Sequence, residues 1–406
     1  MGAAPPPPHL TLRSAARRLG RHGGEILALA GLATFFVSLD SSALTLALPA
    51  ISRDFHAGVP ALGDMGSVLA LGAVVALPLG VLADHVGRRR MLIAGVAGFS
   101  VLNIASGLAQ DLATLTALRL AASCLESMAA SVAVVYVVEE VPSDLRGLAI
   151  SALTIAAGAG TGVTTLLWPV LTPDWRVLYF VGGGGVLAAV VLAVRLGESR
   201  TWSAARRPGT RPAWLLFGRQ WRWRLAVVLV AGALGALFYQ PAGMFVVLFG
   251  SRIGMGATAL SAVIVVSGVV SIPAFPIGGR LSDRFGRRRL APVLTLVTAI
   301  SAGWAFAGGV PGYWAGNVVW SVFASAVEPV IGAWYGELFP TRARATSEAM
   351  RSVAGAAGGI AGLQLVGLLT PRIGLGPSLI ACVAAPALSA GLLLALPETR
   401  AEPLPD

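Results

Sequence analysis

The sequence predicts an all-α membrane protein, with twelve transmembrane helices in two pseudo-symmetric six-helix bundles. Three observations carry this expectation. Of 406 residues, 56% are hydrophobic and only 12% are charged, about half the charged fraction of a soluble domain. The apolar residues fall in runs long enough to cross roughly 30 Å of hydrocarbon, which takes about 20 helical residues each. Short polar motifs recur in the two halves of the chain at offsets of 198 to 200 residues.

Twelve runs meet the length requirement, at 26–49, 62–83, 91–110, 113–138, 147–170, 177–195, 224–249, 258–280, 290–309, 312–335, 347–370 and 374–396. The first is too long for the apolar stretch of a signal peptide and reads as a membrane span. Before it lies a tail (1–25) with a proline run, Pro5 to Pro8, and four arginines. An even number of spans puts both termini on one side. Of thirty arginines, 25 fall on that side, four on the other (Arg53, Arg176, Arg252, Arg372), and Arg119 lies inside a span. The positive-inside rule then places both termini in the cytoplasm, which implies a multi-pass protein of the cell's inner membrane.

Composition excludes several classes. The net charge of +11 comes from arginine alone, and its distribution follows membrane topology, so nucleic acid is not an expected partner. Cys124 and Cys382 lie in apolar runs of opposite halves without metal-ligand spacing, and the four histidines fall in polar connections. No metal centre and no cofactor are expected. The glycines at 182–185 lack the following Gly-Lys-Ser/Thr of a phosphate loop. They read as helix packing, as do Gly158, Gly160 and Gly162. A membrane-embedded enzyme needs a clustered nucleophile and base, and no histidine lies within a span, so no enzymatic activity is expected.

The repeat is the strongest organisational signal. Gly80-Val-Leu-Ala-Asp-His-Val-Gly-Arg-Arg-Arg90 follows span two, and Gly279-Arg-Leu-Ser-Asp-Arg-Phe-Gly-Arg-Arg-Arg289 follows span eight. Glu139, Pro142 and Arg146 after span four align with Glu337, Pro340 and Arg344 after span ten. Glu198-Ser199 after span six aligns with Glu398-Thr399 after span twelve. Matched pairs at nearly constant offset indicate duplication. The halves are then 26–195 and 224–396, joined by a linker at 196–223 and followed by a tail at 397–406.

These motifs resemble those of the major facilitator superfamily over about residues 25–400. Arg119, Tyr136, Glu139, Pro142 and Arg146 with Gly147 are similar to its sugar-porter branch. The first span, Leu39-Asp-Ser-Ser-Ala-Leu-Thr-Leu-Ala-Leu-Pro49, resembles proton-driven drug exporters. The glutamines that sugar porters carry in span seven are missing. The resemblance implies rocker-switch alternating access and a central cavity lined by spans one, four, seven and ten. It also implies that Asp84 and Asp283 sit beside helix N-termini of the opposite half, near spans eleven and five. Gly80, Asp84, Gly87, Arg88, Arg89, Glu139, Arg146 and Glu198, with Gly279, Asp283, Gly286, Arg287, Arg288, Glu337, Arg344 and Glu398, would then form the cytoplasmic gate. Gly80, Gly87, Gly279 and Gly286 would serve tight turns and close helix approach.

Ionisable groups inside spans are costly and mark function. Asp40, Arg119, Glu126 and Glu328 are four such groups. At about 1.5 Å per residue, Glu126 lies roughly 18 Å above the terminal side, Asp40 roughly 21 Å and Arg119 roughly 28 Å. Seven residues apart, Arg119 and Glu126 share a helix face. An acid–base–acid cluster follows. Arg119 can neutralise one carboxylate, and the second then meets desolvation and a like charge, both of which oppose its ionisation. Asp40 or Glu126 is therefore the expected proton carrier. The alternative is a static Asp40–Arg119 pair that ties spans one and four together.

In span ten, Asn317, Ser321, Ser325 and Glu328 make one polar stripe beside Trp320 and Trp334. Tyr239 and Gln240 precede Pro241 in span seven, where a bend is expected. Tyr239, Gln240, Asn317, Trp320, Ser325 and Glu328 are the expected substrate contacts, and a carboxylate at 328 together with Glu126 suits a cationic or polar organic solute. The expected function is proton-coupled transport of a small organic compound by a monomer, leaning to export of a drug-like compound or metabolite. Uptake of a sugar or organic metabolite is the alternative within transport, and a non-transporting sensor the alternative outside it.

Overall fold

In hydrocarbon a backbone must satisfy its own hydrogen bonds, so each apolar run closes into a helix. The computed structural model describes residues 12–142, 145–171, 174–199, 216–340 and 343–399, with side-chain surroundings for all of these except 12–18, 80, 81, 84 and 345. Most of the expected linker falls outside the described residues. In the first half α1 is Leu12–Asp54, α2 Val59–Val86, α3 Arg88–Gly107, α4 Leu112–Glu140, α5 Arg146–Leu171 and α6 Arg176–Arg195. In the second, α7 is Arg222–Arg252, α8 Ala257–Phe285, α9 Arg287–Ala307, α10 Gly309–Leu338, α11 Arg344–Ile373 and α12 Leu375–Leu393. All twelve are long and apolar enough to cross a membrane. The face on which α1 starts and α12 ends is called here the terminal face, the other the distal face.

The boundaries differ from the hydropathy reading where polar residues join a helix. α1 begins at Leu12, ahead of the expected span, and changes direction at Gly20 (φ 64°). Arg88–Arg90 and Arg287–Arg289 are first turns of α3 and α9 rather than loops. Gly87 (φ 111°) and Gly286 (φ 88°) make the sharp reversals in front of them, a conformation open to glycine. α7 runs through Pro241 as one continuous helix. Asp111 caps α4, its carboxylate accepting from the Thr114 N–H at 2.8 Å.

Small residues set the helix spacings. A Cβ on Gly160 would lie 2.1 Å from the Phe35 carbonyl oxygen, so α5 meets α1 backbone to backbone, and Gly278 meets Ala326 of α10 equally closely. Gly182, Gly183 and Gly185 seat α6 on Asn103, Ile104 and Ser100 of α3. Gly158, Gly162 and Gly279 have open space beside them, so the packing role expected of these three belongs to their neighbours.

The apolar cores reveal the conformation. One core, which includes Leu46, Ile51, Trp168, Phe245, Leu248 and Leu363, bridges both halves toward the distal face. Two others lie toward the terminal face, one in each half. Leu92, Tyr136 and Val137 belong to the first, Val228, Val330 and Trp334 to the second. The distal seam is tight. A Cβ on Gly63 of α2 would sit 3.0 Å from the Leu363 carbonyl oxygen of α11. Gln364 donates to Asp64 at 2.9 Å and to Ser67 at 3.0 Å. Ser261 of α8 donates to the Thr165 carbonyl of α5 at 2.8 Å. The halves are joined at the distal face through a shared core, and toward the terminal face each keeps a core of its own.

Candidate functional site

Close backbone approach of α1 to its neighbours brings the intramembrane charges together. Arg119 of α4 donates through Nη1 to Asp40 Oδ1 at 2.9 Å and to Asn103 Oδ1 at 2.6 Å. Its Nη2 donates to Asp40 Oδ2 at 3.2 Å and to Glu126 Oε1 at 3.1 Å. The other Glu126 oxygen accepts from Ser41 at 3.2 Å. Tyr179 of α6 lays its ring against the guanidinium, 5.2 Å from centroid to Cζ. Asp40 is fully buried, Arg119 is 2% exposed and Glu126 is 6% exposed.

Two carboxylates thus share one guanidinium, and the fully ionised cluster carries one net negative charge. One proton makes it neutral, a change that matters strongly away from water. Arg119 Nε, Asn103 Nδ2 and Tyr179 Oη are buried with no hydrogen-bond partner among the described residues. Buried donors are normally satisfied, so the cluster retains capacity for a further acceptor. Sequence reading found the three charged members but missed Asn103, Tyr179 and Ser41. A lone amide inside the apolar span α3 was the available signal for Asn103.

A second site lies in the C-terminal half. A cavity of about 860 Å³ opens toward the terminal face between α7, α10 and α11. Of the residues expected to contact substrate, Tyr239, Trp320 and Glu328 line it. Trp320 is held by Phe238 and Phe306, at ring distances of 6.5 and 6.4 Å. Gln240, Asn317 and Ser325 lie outside the lining. The Asn317 amide donates to the Tyr313 carbonyl one turn back at 2.8 Å, and Gln240 packs against Gly359 of α11.

Tyr335, Arg344, Ser347, Glu348 and Arg351 complete the polar lining. Arg351 pairs with Glu348, one turn away on α11, and lies 5.9 Å from the Tyr335 ring. The lining therefore holds two guanidiniums and two carboxylates around an aromatic wall. Glu126, the carboxylate grouped with Glu328 in the sequence reading, is bound to Arg119 at 3.1 Å. The polar start of α11 escaped the hydropathy reading because its charges merge with the preceding loop.

The loop motifs form two matching networks, one per half. In the first, Arg88 pairs with Glu139 at 3.1 Å, and Glu139 accepts from Ser199 at 2.7 Å. Glu198 accepts the Arg89 N–H at the start of α3 at 3.0 Å. In the second, Arg287 faces Glu337 at 2.8 Å, and Glu337 accepts from Thr399 at 2.5 Å. Glu398 accepts the N–H groups of Arg287 and Arg288 at 3.0 and 3.1 Å. Arg146 and Arg344 donate to the carbonyls of Val138 and Phe339 at the ends of α4 and α10, at 2.9 and 3.2 Å.

Among the described residues of these loop motifs, the carboxylates at helix N-termini are thus Glu198 and Glu398, each within its own half. Asp283 pairs with Arg287 of its own half at 3.2 Å rather than reaching α5. Gly80 and Asp84 are helical, and their side-chain surroundings lie outside the described residues.

A sealed distal seam, an open cavity and a buried charge cluster on a duplicated twelve-helix frame define a membrane transporter. The Major Facilitator Superfamily profile matches residues 30–277 and 242–406, and the chain belongs to that family. It is 27% identical over 398 residues to a probable 4-methylmuconolactone transporter of Cupriavidus pinatubonensis, covering 89% of this chain and 88% of that protein. It is 27% identical to a cis,cis-muconate transport protein of Acinetobacter baylyi, covering 67% of this chain and 69% of that one. A shorter match, 30% identical over 42% of this chain and 32% of the relative, is to a tetracenomycin C resistance and export protein of Streptomyces glaucescens.

Among solved structures, a bacterial homologue of the human lysosomal transporter Spinster, in an inward-facing and unoccupied conformation, superposes with a TM-score of 0.79 at 16% identity. It covers 93% of this chain and 97% of that one. The nucleoside transporter NupG gives 0.76 at 14% identity, over 91% and 99%. The protein is a multi-pass membrane transporter of small organic solutes, not an enzyme.

Proposed function

We propose that this protein is a proton-coupled transporter of a small unsaturated or aromatic organic acid, working by alternating access. The observation that carries the proposal is the Asp40–Arg119–Glu126 cluster, three buried charges whose sum goes from one net negative charge to neutral with one proton. Protonation of either carboxyl frees Arg119 from one partner, which alters the contact between α1 and α4. The solute occupies the cavity of the second half, with its ring against Tyr239, Trp320 and Tyr335 and its carboxylate exchanging with Glu348 at Arg351. The volume fits a small organic ligand. The relatives that match most of the chain, named for muconolactone and muconate, support this substrate class. The arginine bias supports a cytoplasmic terminal face, so the structure described is the inward-open state.

Uptake of labelled cis,cis-muconate and 4-methylmuconolactone into proteoliposomes under an imposed pH gradient tests the proposal. Acceleration by the gradient in wild type, lost in Asp40→Asn or in Glu126→Gln, is the expected result. Transport that ignores the gradient contradicts it. Export is a second reading, favoured by the match to the tetracenomycin exporter and by the first span. Under export, solute moves against the proton rather than with it, and the same assay separates the two.

A further inference from the structure

The distal face carries a feature that the transport reading leaves unused. A cavity of about 610 Å³ lies there over the seam between the halves. Its floor and walls are Leu46, Trp168, Leu248 and Met255, from α1, α5, α7 and the approach to α8. Two ionisable side chains line it, Arg53 and Arg252, and no carboxylate does. Both arginines are exposed, and neither has an ion-pair partner among the described residues. Two carboxylates, Asp54 and Asp174, share an adjoining cavity with Arg53, and Asp54 is bound by Arg176 at 2.7 Å and by Trp175 at 3.0 Å. Ser52-Arg53 and Ser251-Arg252 end α1 and α7 at an offset of 199 residues, so the duplication places one guanidinium from each half at this mouth.

We propose that this pocket is a distal subsite for amphipathic organic anions, in which Arg53 and Arg252 hold a carboxylate and the apolar floor holds its hydrocarbon part. Unpaired guanidiniums offer forked donors matched to a carboxylate, and a mouth of one sign concentrates ions of the other. The floor is the closed seam itself, where Ser261 meets Thr165. When the seam parts, the subsite becomes continuous with the path between the halves. The subsite requires neither proton coupling nor a particular direction of transport, so it stands or falls separately from the proposed function.

The test is binding of 4-fluorobenzoate, with 4-fluorobenzamide as the neutral comparison, followed by fluorine NMR on full-length protein in phosphatidylcholine nanodiscs. Wild type is expected to bind the benzoate, more weakly at high salt, and the amide far less. Arg53→Gln and Arg252→Gln should each weaken binding about threefold and the pair about tenfold. Arg53→Lys with Arg252→Lys should retain only part of it, since the charge stays and the forked donors go. Arg372→Gln, on the same face but outside the pocket, should change nothing. Equal binding of benzoate by wild type and the double Gln variant would overturn the proposal. So would loss of binding in Arg351→Gln alone, which assigns the signal to the cavity on the terminal face. Abolition of wild-type binding by phosphatidylglycerol in the nanodiscs would assign the pocket to lipid headgroups and overturn it as well.

Discussion

Arg119 is the residue on which most of the chemistry converges. It satisfies Asp40, Glu126 and Asn103 together. Removing one partner of a buried charge network leaves the others uncompensated, at a cost of about 3–5 kcal/mol. Arg119→Met should lower stability by about that amount, read as a fall in thermal or denaturant midpoint in detergent. Asp40→Asn combined with Arg119→Met should recover part of the loss, since one of the stranded charges is gone. Equal stability of Arg119→Met and wild type would show that the network is not structural. The sequence made this cluster legible because charge in an apolar span is conspicuous. It left Asn103 and Tyr179 unnoticed because an amide and a phenol cost less to bury. A polar residue in a span can also close its hydrogen bond on its own helix, as Asn317 does on Tyr313.

At the scale of elements, the helix starts at Arg88 and Arg287 were taken for loops because hydropathy weighs composition and not backbone geometry. Gly87 and Gly286 allow each chain to reverse and begin a helix on arginine, and Glu198 and Glu398 then cap these starts. A carboxylate at a helix N-terminus contributes about 0.3–1 kcal/mol at an exposed site. Glu198→Gln and Glu398→Gln should each lower stability by about that much, and because they lie in separate halves the two losses should add. A double variant whose loss departs well beyond the sum would mean that the networks communicate between halves. The seam gives a second test. Gly63 touches the Leu363 carbonyl, whereas Gly158 faces open space. Gly63→Leu should force the distal seam apart, shortening spin-label distances across the terminal face. Gly158→Leu should leave those distances unchanged. The sequence announced many glycines; which of them touch a neighbour depends on helix rotation, and composition does not encode that.

For the whole molecule, duplication supplied two frames that have since diverged in content. The first half keeps its charges buried in a compact cluster. The second keeps aromatic rings and paired charges around an open cavity. This division is what a carrier needs if the proton and the solute bind at different places and meet through movement of one half against the other. The twelve spans and the repeat could be read from hydropathy and motif spacing. The closed distal seam could not, because it rests on contacts between residues some 300 positions apart, such as Asp64 and Gln364. The orientation expected from arginine bias has a direct check. A cysteine at Glu348, an exposed residue of the cavity lining, should react with a membrane-impermeant maleimide from the cytoplasmic side of inverted vesicles and stay protected in intact cells. The opposite pattern would invert the topology.

The central claim is that the buried cluster couples solute movement to protons. The most direct measurement is pH-gradient-driven flux of cis,cis-muconate in proteoliposomes, with wild type, Asp40→Asn and Glu126→Gln reconstituted in parallel and solute exchange at equal pH recorded for each. The account expects wild-type flux to follow the gradient, and at least one variant to lose gradient-driven flux while still exchanging solute. Both variants responding to the gradient as wild type does would contradict it, and would leave Asp40 and Glu126 as a static tie between α1 and α4.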